Sequence, residues 1–351
     1  MSTRLTALAV LGAATMLIAA CGSSGGGTAA PSVSVTAAPS VTTSTAPIPS
    51  ESGAANEKIK VTLLTKATGG FWDAMIAGAK QYETDHPNDI ELTTNACKTN
   101  DDTPCQIAEI QDAVTKGAQA IVISPMGVGV TDALNEAQQA GVRIVFVDNT
   151  IPGVVPDAVA ATNNVKGGEA AGEYIKSQLK SGDTIGLLEA VRGVPNLDQR
   201  IDGVKAALEG TGVTVVIGAQ QTLCDTKTGA AVTQDLLTKY PNLTAIYSAC
   251  DSPAMGAVAV AESKQHPLLI FGYDGDPEMA KLIEAGKTTA TMAQSPFKMT
   301  NLGVEAAVKS LKGENYVKAI DTGTTLVTKD NAKALIVDSG FHPQKAVPAC
   351  K

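Results

Sequence analysis

Aromatic side chains are scarce here. They make up 3% of 351 residues, and tryptophan occurs once, as Trp72. A Trp needed only for packing belongs inside an apolar element. This one follows two glycines in "TKATGGFWDAMIAGAK", between a strand-like and a helix-like run, at the strand end where open α/β sheets bind ligands. Histidine is also rare. His86, His266 and His342 each precede a proline, which sets all three in turns and leaves no catalytic histidine. Clusters of Lys and Arg are missing, and 35 acidic residues against 27 basic ones give a formal charge of −8, which excludes nucleic acid as a partner. The cysteines form no C-x-x-C pair and no Cys/His group with ligand spacing, so no zinc or other metal site is expected. No apolar run reaches the ~20 residues of a membrane-spanning helix.

Residues 5–20 come nearest to one. They are apolar, uncharged and preceded by Arg4, so residues 1–20 read as a secretory signal peptide. The sequence Ile18-Ala19-Ala20-Cys21 resembles the bacterial lipobox. That resemblance implies that Cys21 becomes a lipidated N-terminus and anchors the protein to the extracytoplasmic face of the membrane. Residues 21–57 then form the lipidated end and a tether of Gly, Ser, Thr, Ala and Pro that cannot bury enough surface to order itself. A flexible coil of that length spans about 30–35 Å. Five further cysteines remain, and export favours disulfides. Cys97 and Cys105 flank the polar loop "KTNDDTP" and form the best local pair. Cys350 sits on the terminal tail.

From residue 58 the chain alternates β-branched runs with helical stretches. Strands are expected at 59–65, 90–95, 118–125 and 142–149, and, after a restart, at 157–164, 184–190, 213–219, 243–249, 267–274 and 288–294, with short strands near 320 and 326. The helix between the third and fourth strands ends at Gly141, and Asn196 is the expected N-cap of helix 196–210. Repeated strand–helix units require parallel sheets covered on both faces. One sheet would hold too many strands, so the expected fold is α/β with two doubly wound parallel-sheet lobes. Gly127 and Gly129 follow a strand, but Asp132 stands where a dinucleotide fingerprint needs its third glycine.

The stretch 58–328 is similar to the ribose-binding protein family, the type I periplasmic sugar-binding proteins of ABC importers. The likeness is carried, in order, by Gly69-Gly70-Phe71-Trp72, "GAQAIVISP", "FVDN", "QRIDGV", "YSACDSPAMGA", "FGYDGDPE", "TATMAQ" and "VKSLKG". It implies lobes joined by three hinge crossings, near Thr162, 294–295 and 322–325, with ligand held in the cleft. The N-terminal lobe would combine 58–161 with 295–323, and the C-terminal lobe 162–294 with 324–351.

The resemblance also supplies a site. Phe71 and Trp72 match an aromatic pair that stacks on sugar carbons. Asp148 matches a hydroxyl acceptor, and Asn149 stands where the family often has Arg. Arg200 matches a cleft arginine, although a surface pair with Asp198 or Asp202 is the alternative. Asp274 matches a strand-end acid and Gln294 a hinge glutamine, while Asp276 begins the next helix. Lys66, if it points into the cleft, suits a ligand carrying an acidic group. Cys224 and Cys250 replace an aromatic and an Asn of the family at neighbouring strand ends, which suggests a disulfide between them. Cys250 and Asp251 are weaker candidates for ligand contact, and helix capping is as good a reading of Asp251. The expected protein is a monomeric lipoprotein receptor that binds a small sugar or sugar alcohol and delivers it to an ABC permease. It would have no cofactor and no enzymatic activity. A receptor for a sensor kinase and a cleft glycosidase are the alternatives.

Overall fold

The computed structural model describes residues 57–190, 192, 194–218 and 224–337. The signal peptide, Cys21, the tether up to residue 56, His342 and Cys350 lie outside the described residues.

Two six-stranded sheets organise the chain. The first contains β1 (Ile59–Thr65), β2 (Ile90–Ala96), β3 (Ala120–Ile123), β4 (Arg143–Val147), β5 (Ala158–Ala161) and β11 (Ala319–Asp321), in the order β11-β5-β4-β3-β1-β2. All its pairings are parallel. The second contains β6 (Thr184–Leu188), β7 (Thr214–Ile217), β8 (Ala245–Ser248), β9 (Leu269–Asp274), β10 (Ala290–Ala293) and β12 (Thr325–Val327), in the order β12-β10-β9-β8-β6-β7. Only β12 runs antiparallel to its neighbour. The fold is therefore two parallel-sheet α/β lobes.

The strand sequences explain this layering. In β3, Ala120 and Val122 belong to one apolar cluster while Ile121 and Ile123 belong to another on the opposite face. In β4, Val145 and Val147 alternate with Ile144 and Phe146 in the same way. Strands buried on both faces read as unbroken apolar runs, and each buried Val, Ile or Phe stabilises the fold by about 1.5–3 kcal/mol. The helices α1 (Gly70–Asp85) and α9 (Pro296–Lys312) cover one face of the first sheet, and α2 (Thr103–Thr115) and α3 (Thr131–Gln139) the other. In the second lobe, α4 (Asn164–Gln178) and α5 (Pro195–Leu208) cover one face. The other face is covered by α6 (Thr226–Lys239), α7 (Asp251–Lys264) and α8 (Pro277–Glu284). A further helix, α10 (Ala332–Val337), packs near α8 and was not expected from the sequence.

Helix starts carry local signals. Asp102, Asn163, Asp225 and Asp276 accept backbone N–H groups at the starts of α2, α4, α6 and α8. Asn196 does not cap α5. Val194 takes that place and Pro195 the first helical position, where a fixed φ and a missing N–H cost nothing. Gly141, at φ +88°, supplies the left-handed residue just past the last turn of α3. The disulfide Cys97–Cys105, with Cα atoms 6.0 Å apart, ties the end of β2 to α2.

The chain passes between the sheets three times: from β5 to α4, from β10 to α9, and from β11 to β12. The first and third passages are laced together. Thr322 N donates to Ala161 O at 3.0 Å, and Asn163 N donates to Asp321 Oδ1 at 3.1 Å.

Candidate functional site

The C-terminal ends of the parallel strands bring most of the candidate residues together. Gly69 and Gly70, at φ +90° and +45°, turn the chain from β1 into α1 in a conformation only glycine takes freely. Gly69 N donates to Asp73 Oδ1 at 3.0 Å, which fixes the entry to the helix. Phe71 and Trp72 follow, half-buried against the first-lobe core, with ring centroids 5.2 Å apart and edges toward faces. Both therefore pack inward in part. Lys66 Nζ lies 5.5 Å from the Trp72 ring centroid and 3.2 Å from Asp148 Oδ2.

Asp148 ends β4 at φ +67°, uncommon for a non-glycine residue. Its Oδ2 also accepts from Ser124 Oγ at 2.8 Å. That hydroxyl lies 3.0 Å from Asn149 Oδ1, while Asn149 Nδ2 donates to Pro125 O at 3.0 Å. Asn149 thus serves the loop after β3.

On the second lobe, Arg200 projects from α5 and is 2% exposed. Its Nε donates to Asn164 Oδ1 at 2.8 Å, and Nη1 donates to Ala249 O at 2.9 Å and to Asp274 Oδ1 at 3.0 Å. The guanidinium lies 3.9 Å from the Tyr273 ring centroid. The alternative surface partners, Asp198 and Asp202, are paired with Arg192 instead, at 3.2 and 3.1 Å. Asp274 Oδ1 also accepts from Gln294 Nε2 at 2.7 Å. Gln294 Oε1 is buried with no hydrogen-bond partner.

The two lobes approach each other here. A Cβ on Gly70 would stand 3.9 Å from Asp276 Oδ2 across the gap. Burial pushes Asp274 up to about 6, Arg200 and Gln294 pull it down, and the charge of Asp148 on the other lobe adds to the rise. Burial opposes the charge on Arg200, but Asp274, the two buried tyrosines and Asp148 hold its affinity for the proton above the ordinary value. Asp148 and the Arg200–Asp274 pair thus share one field.

Asp251 and Cys250 are placed differently from what ligand contact requires. Asp251 is buried at the start of α7, and its carboxyl oxygens are engaged by Gly275 N, Asp276 N and Thr291 Oγ1. Cys250 is 4% exposed and bonded to Cys224, with Cα atoms 5.8 Å apart, which staples the start of α6 to that of α7. Asp276 caps α8. Sequence reasoning missed Ser124 and Asn164, the partners that hold Asp148 and Arg200. Their only signal is position, one just past β3 and the other opening α4.

Burial also raises Asp251, to about 8, with Asp274 adding to the rise. Both carboxyls therefore bind protons more tightly folded than unfolded, where the ordinary value is 3.8. Their contribution to stability is complete below pH ~4 and is lost as pH rises through about 6 and then about 8. The melting temperature of the ligand-free protein should fall between pH 5 and pH 9 (range set by these two groups), followed by circular dichroism. Asp251→Asn should flatten the upper part of that slope, and an unchanged slope would place the proton elsewhere.

Among the described residues no group of His, Cys, Asp and Glu is arranged to hold a metal, and no helix is long and apolar enough to cross a membrane. A family model described as "Periplasmic binding protein domain" matches residues 59–315. The D-ribose/D-allose-binding protein of Pseudomonas aeruginosa is 30% identical over 268 residues, covering 74% of this chain and 84% of that protein. The ribose import binding protein of Escherichia coli is 30% identical over 226 residues, 64% of this chain and 76% of that one. Among solved structures, an ABC transporter solute-binding protein from Mycobacterium smegmatis with bound glycerol superposes with a TM-score of 0.73 at 28% identity, covering 81% of this chain and 99% of that one. With a matching domain that spans most of the folded residues and the same two-sheet architecture, the chain belongs to the periplasmic binding protein family.

Proposed function

We propose that the protein is a lipid-anchored, extracytoplasmic receptor. It captures a small neutral sugar or sugar alcohol between its lobes and delivers it to an ABC permease. The observation that carries this reading is the pair of strand-end carboxyls, Asp148 and Asp274. They come from opposite lobes, each is held by a cation, and they lie within one another's field. A carboxylate accepts hydrogen bonds from hydroxyl groups, and such charge-assisted bonds contribute about 1.5–3 kcal/mol each. Beside them Trp72 offers an apolar ring suited to the C–H face of a sugar. The cations decide the charge of the guest. Lys66 is matched by Asp148 and Arg200 by Asp274, so neither leaves a positive charge in need of an anion, which favours a neutral guest. The relatives named above are described as binding ribose, allose or glycerol, which agrees with this class.

A guest touching both lobes favours their closed arrangement over an open one. The three passages between the sheets are the natural hinge. Each carries a buried oxygen without a partner in this arrangement: Thr162 Oγ1, Gln294 Oε1 and Thr322 Oγ1. Lipid anchoring rests on the lipobox-like Cys21 and the tether that follows it, and we take the receptor to act as a monomer.

Trp72, the only tryptophan, makes the test direct. Its fluorescence should change saturably with at least one of D-ribose, D-allose, D-arabinose, D-fucose, myo-inositol and glycerol, and D-ribose 5-phosphate should bind more weakly than D-ribose. Affinity should fall as pH drops through about 6, where Asp274 gains a proton. No response to any neutral compound, or a preference for the phosphate, would sink the reading.

A further inference from the structure

We propose that Asp251 is a positioning residue of the gap: its buried carboxyl group holds the turn after β9 in the shape that aims Asp274 at the guest. Asp251 is 1% exposed. Its Oδ2 accepts from the backbone N–H groups of Gly275 and Asp276, at 2.8 and 2.7 Å, and its Oδ1 accepts from Thr291 Oγ1 at 2.6 Å. None of these donors belongs to α7. Two follow Asp274 directly, and the third stands on β10, the parallel neighbour of β9. One side chain thus ties a turn to the strand beside it.

The turn needs that tie. Asp274 has φ +128°, a backbone conformation that side-chain-bearing residues rarely adopt, and Gly275 follows at φ +84°. Such a backbone persists only where its surroundings over-determine it. Room for the tie is built into β9: a Cβ on Gly272 would stand 2.1 Å from Asp251 Oδ1. On the other side of the turn, Arg200 and Gln294 both occupy Asp274 Oδ1. With Oδ1 clamped and the backbone behind it pinned, Oδ2 is the oxygen left for a hydroxyl group. The same short segment serves the rest of the wall. Ala249 O holds Arg200, Cys250 holds the start of α6 through Cys224, and Asp251 holds the turn.

The inference depends on the polyol-receptor reading only for its choice of probe, so the experiment has one arm without ligand. In the ligand-free protein, amide hydrogen exchange at residues 275 and 276 should quicken about tenfold or more in Asp251→Ala, through loss of bonds to a carboxyl group. Asp251→Asn keeps an oxygen that accepts the same two bonds and should stay within about threefold of the unaltered protein. Thr291→Val frees Oδ1 while preserving side-chain shape. It should show a smaller acceleration and stands in if Asp251→Ala fails to fold. Unchanged exchange in these variants overturns the tie.

The second arm titrates D-allose and myo-inositol by Trp72 fluorescence. Asp251→Ala should weaken binding about tenfold, Asp251→Asn should restore it, and Asp251→Ala should add little once Asp274 is already alanine. Equal losses in both backgrounds overturn the route through Asp274. If neither these two nor any other of the six neutral compounds named above binds any variant, the polyol reading falls on its own. The NMR titration midpoint of the Asp274 carboxyl then decides, and a midpoint unmoved by Asp251→Ala overturns the proposal.

Discussion

Asp274→Ala should cut polyol affinity by about tenfold to a hundredfold, the loss of one charge-assisted hydrogen bond of about 1.5–3 kcal/mol. The loss has a second part. Arg200 keeps Asn164 Oδ1 and Ala249 O as acceptors but loses the carboxylate paired with its buried charge. Breaking a buried pair from one side costs about 3–5 kcal/mol, so urea unfolding followed by circular dichroism should show a less stable protein. The two parts separate in Asp274→Asn, which keeps an oxygen for Arg200 and gives up only the charge. It should be nearer to the unaltered protein in stability than in affinity. Calorimetric binding undiminished in a folded Asp274→Ala protein would remove Asp274 from the site.

Arg200→Met should cost a comparable amount of stability. Methionine fills much of the volume but leaves the part-buried Asp274 carboxyl without a cation, together with the acceptors on Asn164 and Ala249. The expected loss is again about 3–5 kcal/mol. The pH dependence gives a signature of its own. Arg200 opposes the rise that burial imposes on the Asp274 carboxyl, which stands at about 6 with Arg200 in place. Removing it lets that value rise, so binding in Arg200→Met should fail at a higher pH than in the unaltered protein. Arg200→Met combined with Asp274→Leu should recover much of the stability, because a pair replaced whole by apolar groups leaves nothing buried and unpaired, and it should bind no polyol. A double variant as unstable as Arg200→Met alone would show that the loss comes from packing, not charge. The single tryptophan sits in the first lobe, so its fluorescence reports binding more directly than it reports unfolding of the second.

The layering of both sheets was legible because central parallel strands announce themselves. Runs such as Ala120–Ile123 are apolar at every position since both faces are covered. Element ends were less so. α7 begins at Asp251, with Pro253 tolerated in its first turn. Asn196 lies inside α5, whose first helical position is Pro195. In the site, Asp148, Arg200, Asp274 and Gln294 were legible through the family resemblance, and Lys66 through its place just past β1. What held them could not be seen. Asn164 and Arg200 are 36 residues apart, and Asp251 and Thr291 are 40 apart. Such pairings are set by which strands become neighbours, and no local pattern encodes them. The burial of Arg200 was hidden for the same reason.

The passages between the sheets have a consequence for biosynthesis. α9 lies on β4 so closely that a Cβ on Gly303 would stand 2.9 Å from Val147 Cγ1, and its Met299, Val304 and Val308 share a core with Val122, Val145 and Val147. The first sheet also lacks its outer strand until residues 319–321 are made. A chain emerging from its N-terminus cannot complete or cover its first sheet until residues 296–321 are made, and its second sheet waits for the outer strand at 325–327.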